Sequence, residues 1–394
     1  MKDPLHNPKL TLVVASIAHS FSHMFMLLYA TVVLVINKEF NLTYSELQWL
    51  SVPGFVMFGL AAFPAGWLGD RWSATGMLVI FFLGLGFSAL ITGFANERIT
   101  LLIGLTLIGT FGAIYHPVGL AWLVKHSKNR GRALGINGVF GNIGTAAAAI
   151  VAGFLADFFG WRYAFFVPGI LSLIFGIMLL FVINRGYLKD VSTDAVSNPE
   201  TSSSDIRRAF FALFITVIMV GLIFQSTSVG LPKIFSDRLD MGGGAFGPGA
   251  LVALVYFLAA GAQLIGGEAA DKFPQRRVYL YAQLFQIPIV LIAFITVNYG
   301  LVLLAVLMVS LNMGAQPVEN ALVAKYTPTR WRSRMYGIKF VLTLGVTSIG
   351  VVLVPVLSGV MGSLDLLFIA IGIFAFIAFF GAWLLPRDKE RVTS

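Results

Sequence analysis

Roughly twelve runs of apolar residues, each about the 20 residues a helix needs to cross a bilayer, fill almost the whole chain. They fall at roughly 10–36, 46–69, 75–95, 99–124, 132–156, 162–184, 208–231, 248–270, 277–297, 300–324, 335–358 and 364–385. Many are rich in glycine, and prolines stand inside several, at Pro53, Pro64, Pro117, Pro168, Pro288, Pro317 and Pro355. Membrane helices tolerate both residues, because neighbouring helices take up the backbone groups that are released. Only 11% of the residues are charged, against roughly a quarter in a soluble domain. Such a chain cannot cover itself with polar surface, so the expected solvent is lipid and the expected fold is an all-α membrane protein.

The runs repeat. His116-Pro117-Val118-Gly119-Leu120-Ala121 is followed by Arg130-Gly131-Arg132, and 200 positions later Gln316-Pro317-Val318-Glu319-Asn320-Ala321 is followed by Arg330-Trp331-Arg332-Ser333-Arg334. Gly66-Trp67-Leu68-Gly69-Asp70-Arg71 is matched 201 positions on by Gly267-Glu268-Ala269-Ala270-Asp271-Lys272. The chain is therefore read as a duplication: twelve transmembrane helices in two pseudo-symmetric six-helix bundles. The expected divisions are 1–184, a polar linker over 185–207, and 208–394. The linker, with Ser202-Ser203-Ser204, has a flexible composition that promises no chemistry.

Charge sets the orientation. Of the 27 Lys and Arg, 21 fall on the side of the N-terminus, 5 on the other side, and Lys339 inside a run. Cytoplasmic loops carry this excess, so both termini are expected in the cytoplasm, of a bacterial inner membrane. The formal charge of +9 is spread over short loops, which speaks for topology and against nucleic acid. With no cysteine, disulfides and thiolate metal sites are excluded. Met1 to Leu10 is polar and the run after it is too long for a cleavable signal. The glycine-rich 241–249 precedes no phosphate-binding strand and helix, and no Gly-x-x-x-x-Gly-Lys is present, so ATP hydrolysis is not expected.

Six plus six helices, a cytoplasmic central linker and Gly-x-x-x-Asp-Arg after helix two resemble the major facilitator superfamily, in which that loop motif recurs after helix eight. Arg130-Gly131-Arg132-Ala133-Leu134-Gly135 and Gly160-Trp161-Arg162 add to the likeness. Trp72-Ser73 stand where Gly-Arg is usual, and Gly138 to Gly153 lacks the glycine-proline signature of antiporters. Tyr115-His116-Pro117 and the helix-one histidines resemble the branch of fosmidomycin-resistance exporters. The resemblance implies a monomeric secondary active transporter working by alternating access, with helices one, four, seven and ten lining the cavity. It also implies that Asp70, Arg71, Arg130, Arg132, Asp271, Lys272, Arg332 and Arg334 act in gating loops. There, a carboxylate at a helix junction can face a neighbouring helix dipole while an arginine bonds loop carbonyls or a second carboxylate. The plainer alternative is that these charges only mark topology.

Ionisable groups at bilayer depth are costly and invite a functional reading. His19 and His23 share a helix face at i and i+4. They line the cavity or pack helices, and His116 could add a third nitrogen across the cavity; no metal site is assigned. Pro117 frees a carbonyl near Ala113 and bends helix four, and Gln316-Pro317 should do the same in helix ten, the bends assisting rocking while His116 or Gln316 touches substrate, or serving as bends with no ligand role. Glu319 and Lys339 should lie at similar depth and pair, as a gate, as a proton carrier with its counter-charge, or as a static pair. Gln225 is a further candidate substrate contact. With no cofactor expected, the partners are lipid, a small organic solute and protons, because histidines and one carboxylate can change charge inside. Efflux is favoured on the narrower resemblance. Uptake of a small anionic metabolite or metal complex and a non-transporting sensor are the alternatives. A membrane enzyme is not expected, since His-Glu-x-x-His and aspartate clusters are lacking.

Overall fold

A computed structural model describes residues 7–127, 130–188, 203–327, 339 and 341–386. Its membrane-length helices are α1 (Lys9–Val32), α2 (Tyr44–Arg71), α3 (Ala74–Gly93), α4 (Arg98–His126), α5 (Arg132–Phe158), α6 (Tyr163–Asn184), α7 (Ile206–Arg238), α8 (Phe246–Lys272), α9 (Gln275–Ile295) and α10 (Gly300–Tyr326). A shorter apolar helix, α11 (Val346–Met361), and α12 (Asp365–Leu384) complete the set. The chain is thus an all-α integral membrane protein of twelve-helix architecture. Residues 189–202 of the expected linker lie outside the described residues, as do Arg332 and Arg334. The helix that carries α7 already starts at Ser203, so Arg207 and Arg208 are helical instead of lying at the edge of a linker.

The duplication is visible in space as well as in order. A side chain at Gly66 would stand 3.1 Å from Pro117 Cβ, and one at Gly267 would stand 3.9 Å from Pro317 Cβ. The loop motif of each half therefore packs on the proline motif of the same half. Small residues let the two backbones approach, which is how helices associate where lipid offers no hydrophobic drive.

The two proline helices differ. In α4 the segment Tyr115–Gly119 around Pro117 widens to a π-helix, a single-turn widening of the ladder where proline offers no N–H. The expected opening near Ala113 is met by Ser22 of α1, whose hydroxyl donates to Gly112 O at 3.3 Å. Pro317 instead sits inside a helix that stays α-helical throughout, Gly300–Tyr326, with no π-turn. Helix eleven carries the irregularity of the second half. A π-turn, Val341–Gly345, and a 3₁₀-turn, Val346–Ser348, precede its regular part, Ile349–Met361.

The end of the molecule that holds both termini is tied by arginines to the last carbonyls of α12. Arg208 donates to Leu384 O at 2.6 Å, and Arg276 to Leu385 O at 2.9 Å and Trp383 O at 2.7 Å. Cations at a helix C-terminus satisfy carbonyls that have no partner within the helix.

The opposite, distal end is held by two arginine knots, one per half. Arg162 bonds Glu39 at 2.6 Å, Ala95 O at 3.1 Å and Asn96 at 2.9 Å, so three loops meet on one guanidinium. Arg238 bonds Asp365 at 2.6 Å and the carbonyls of Ala293, Phe294 and Thr296 at 2.8 to 3.0 Å. The Arg162 guanidinium holds the Glu39 carboxyl below its ordinary range, helped by the Trp161 indole N–H at 2.6 Å.

Candidate functional site: the seam between the halves

The halves meet along α5 and α8, which run antiparallel in backbone contact. A side chain at Gly249 would come within 2.4 Å of Ala149 O, and one at Gly153 within 2.6 Å of Ala245 O. At the distal end the Asp157 carboxylate accepts from the backbone N–H groups of Ala245 (2.9 Å) and Phe246 (2.8 Å), which cap the start of α8. A carboxylate there also meets the positive end of the helix dipole. Across the second seam, Ser45 donates to Pro355 O at 2.7 Å and Ser348 to Phe55 O at 2.9 Å. On the distal side the halves therefore touch through α2 on α11 and through α5 on α8.

Near the middle of α1, His19 and His23 meet at 3.2 Å, Nε2 to Nε2. His116, buried in the π-turn of α4, closes a triangle: its ring lies 5.3 Å from each of the other two. The His19 orientation is fixed from behind. A carbonyl can only accept, so Nδ1 of His19 donates to Asn137 O at 2.7 Å, which leaves Nε2 as the acceptor of the neutral ring. Tyr115 stacks on His19 at 4.9 Å and donates to Asn137 Oδ1 at 2.9 Å. A side chain at Gly141 would lie 2.7 Å from the His19 ring, so only glycine leaves the imidazole this place. On the far side, His23 faces Phe224 of α7 with ring centroids 6.2 Å apart. The histidines thus stand where the first half looks at the second. Phe224 also borders a small pocket with Thr227, Tyr256, Met308, Asn312 and Met313, from α7, α8 and α10.

The second polar centre is inside the second half. Glu319 and Lys339 pair at 2.8 Å, and both are buried. Tyr279 of α9 donates to the other carboxylate oxygen at 2.5 Å. Lys339 also bonds Asn320, and its carbonyl accepts from Thr343 at 2.8 Å, inside the π-turn. This network joins α9, α10 and the irregular approach to α11. The matching positions of the first half hold Gly119 and Asn137. There Gly119 leaves room for the Tyr115 ring, and Asn137 bonds the Tyr115 hydroxyl.

The remaining candidates are placed as follows. Gln316 pairs with Gln263 of α8 at 3.4 Å, and Gln263 in turn abuts Gly138 of α5. Gln225 is buried against Gly350 of α11, while its neighbour Thr227 lines the pocket. Asp70 lies 3.6 Å from Lys125 at the end of α4 with both side chains largely exposed, a contact of little strength. The expected partner of Asp70 was a helix dipole; its described ion pair is with this lysine. Arg71 lies over the Trp67 ring at 4.9 Å. Lys272 pairs with Glu268 one turn back at 2.6 Å, and Asp271 and Arg132 are exposed. Arg130 lies at the start of the helix that carries α5.

The description Major Facilitator Superfamily matches this chain over residues 15–342 and 245–393. The chain belongs to the major facilitator superfamily. That membership sets aside a membrane-embedded enzyme. Among its relatives, the puromycin resistance protein pur8 of Streptomyces alboniger is 26% identical over 142 residues, 35% of this chain but only 28% of that protein's length. The probable 4-methylmuconolactone transporter of Cupriavidus pinatubonensis is 25% identical over 380 residues, covering 90% of this chain and 85% of the relative. A bacterial homologue of the human lysosomal transporter Spinster, solved in an inward-facing and occupied conformation, superposes with a TM-score of 0.74. It is 15% identical, and the match covers 98% of this chain and 97% of that one. This likeness concerns the fold alone.

Proposed function

We propose that the chain is a secondary active transporter that carries a small organic solute past the seam between its halves and couples that passage to protons through Glu319. The observation that supports this reading is the buried Glu319–Lys339 pair at 2.8 Å. The scaffold does not require these charges, since the repeat fills the matching places with Gly119 and Asn137. A proton on Glu319 removes the counter-charge of Lys339. An uncompensated buried cation is strained by several kcal/mol, so Lys339 must move toward water or toward an anionic group. Lys339 stands just before the π-turn of helix eleven, which is the least regular part of that helix. Displacing it pulls on the segment that carries the Ser348 contact to Phe55 of α2. Protonation at Glu319 thus acts on the distal seam, which must part for the site to open.

The solute site in this reading lies between the histidines of the first half and the Phe224–Thr227 pocket of the second. One chain supplies both sides, so a monomer suffices. The termini face the cytoplasm of a bacterial cell membrane, on the strength of the Lys and Arg asymmetry.

The test uses liposomes holding the purified protein, a pH dye inside and a mixed solute library outside. A solute-driven pH change in the wild type that is lost in Glu319→Gln, with solute exchange retained, is expected. Interior acidification marks co-transport and alkalinisation marks exchange, so the sign also reads direction. Unchanged coupled movement in Glu319→Gln would refute the assignment.

A further inference from the structure

We propose that His19, His23 and His116 form a three-imidazole site for a divalent transition-metal ion, with a fourth position left for an anionic ligand. One ligand nitrogen from each ring lies within 4.8 Å of the other two. Nitrogens held at about 2.0–2.1 Å in a tetrahedron stand about 3.3 Å apart. His19 and His23 already meet this spacing at 3.2 Å. His116 has to close by at most about 1.5 Å, the difference between 4.8 Å and the tetrahedral spacing.

The surroundings are those of a ligand set. Metal-bound histidine donates its other ring N–H to a carbonyl or carboxylate, which fixes tautomer and ring orientation. His19 does this toward Asn137 O, and Asn137 is itself held by the Tyr115 hydroxyl. The Nε2 of His19 is thereby turned to the centre with its lone pair available. His23 offers its Nε2 lone pair once water takes the proton from Nε2 and returns one to Nδ1, a tautomer change with no net gain or loss of protons.

The donor set selects the ion. Three nitrogens and no oxygen do not suit Mg²⁺ or Ca²⁺. They suit Zn²⁺, Co²⁺, Ni²⁺ and Cu²⁺. Three neutral ligands leave the ion with its full double charge at bilayer depth, which is costly. The groups named around the triangle, Tyr115, Asn137, Phe58 and Phe224, bring no negative charge. The fourth position therefore takes an anion, entering from the seam where His23 faces Phe224.

The test adds Co²⁺ to full-length, tag-free protein in detergent, in a His6→Ala/His126→Ala background that removes the other two histidines. One Co²⁺ per chain with the intense visible bands of tetrahedral nitrogen coordination is expected. Zn²⁺ should displace it, excess Mg²⁺ should not, and acetate should tighten it. His23→Gln and His116→Gln should each weaken binding at least tenfold while melting like the parent in the absence of metal. Gly141→Ala, which displaces the His19 ring without removing a ligand, should weaken it about 10–100-fold. Glu319→Gln should bind Co²⁺ as the parent does, so the result is independent of the coupling assigned above. No cobalt bands in the parent, or bands that persist in both His→Gln variants, would overturn the proposal. Should a variant fail to fold, the parent's spectrum and its Zn²⁺ and Mg²⁺ competition still decide.

Discussion

Removing one charge of the Glu319–Lys339 pair should cost far more than removing both. The pair is 2.8 Å long and shielded from water, with relative side-chain exposures of 9% for Lys339 and 4% for Glu319. At that burial, deleting one partner leaves an uncompensated ion and costs about 3–5 kcal/mol. Lys339→Met does this to Glu319, which among the described residues keeps the Tyr279 hydroxyl. Glu319→Gln does it to Lys339, which keeps Asn320. The double variant Glu319→Gln/Lys339→Met leaves no ion, and substitutions of that kind are often neutral or stabilising. The two single losses together would reach about 6–10 kcal/mol if they added, so a double variant near the wild type implies a coupling of nearly that size. The assay is thermal unfolding of the four proteins in one detergent, read from tryptophan fluorescence. Both single variants should melt well below the wild type and the double variant close to it. A double variant that melts lower than either single one would refute the reasoning, because the charges would then be stabilising separate surroundings.

Two further outcomes follow from the distal end. The Glu39 carboxyl is held below its ordinary value by Arg162, so its stabilisation is full above the unfolded value of about 4.3 and is lost as pH falls through the lower folded value. Its side chain is 41% exposed, so the effect is under about 1 kcal/mol. Between neutral pH and roughly pH 3 the wild type should lose slightly more melting temperature than Glu39→Gln; equal losses would deny the pairing a role in stability. Asp157→Asn removes a charged acceptor from the two N–H groups that begin α8 and should weaken that seam by about 1 kcal/mol. A cysteine placed in the seam of this cysteine-free chain should then react faster with a water-soluble thiol reagent than in the parent, and an unchanged rate would count against that contact.

The sequence carried the parts of this architecture that repeat. Apolar runs of bilayer length and two echoes 200 residues apart lead to twelve helices in two halves, and the echoes touch, Gly66 on Pro117 and Gly267 on Pro317. The Glu319–Lys339 contact followed from counting residues inward from the same surface, since helix rise is constant. The histidine pair followed from helix periodicity. Four consecutive polar residues, Gln225 to Ser228, were not resolvable in this way. Successive side chains point about 100° apart, so the run covers every face. In space Ser226 donates to Gly350 O, Ser228 meets the Tyr256 hydroxyl, Thr227 lines the pocket and Gln225 lies on Gly350.

Arg162, Arg238 and Asp157 were invisible as structural ties for a different reason. The partners of Arg238 and Asp157 are mostly backbone carbonyls and N–H groups, which leave no mark in the sequence, and those of Arg162 lie on loops far apart in the chain. Tyr279 reaches Glu319 from α9, a helix outside the four expected to line the cavity. A single phenol in an apolar run signals nothing until its partner is located. The π-turn at Pro117 and the continuous helix at Pro317 arise at matched prolines whose neighbours and packing differ. Proline removes a donor in both, and the tertiary surroundings decide how the ladder closes.

In the transport cycle proposed above, the halves must part at the distal end for solute to cross. Ser45 of α2 and Gly359 of α11 offer a direct test. A Cβ built at Gly359 lies 3.4 Å from Ser45 Cβ, close to the span of about 3.5–4.5 Å across a disulfide. Ser45→Cys/Gly359→Cys protein should cross-link in an oxidant without other thiols to compete. Solute-driven pH change in liposomes should stop when the cross-link forms and return on reduction, while each single variant remains active in both conditions. Full movement through the cross-linked protein would contradict the claim.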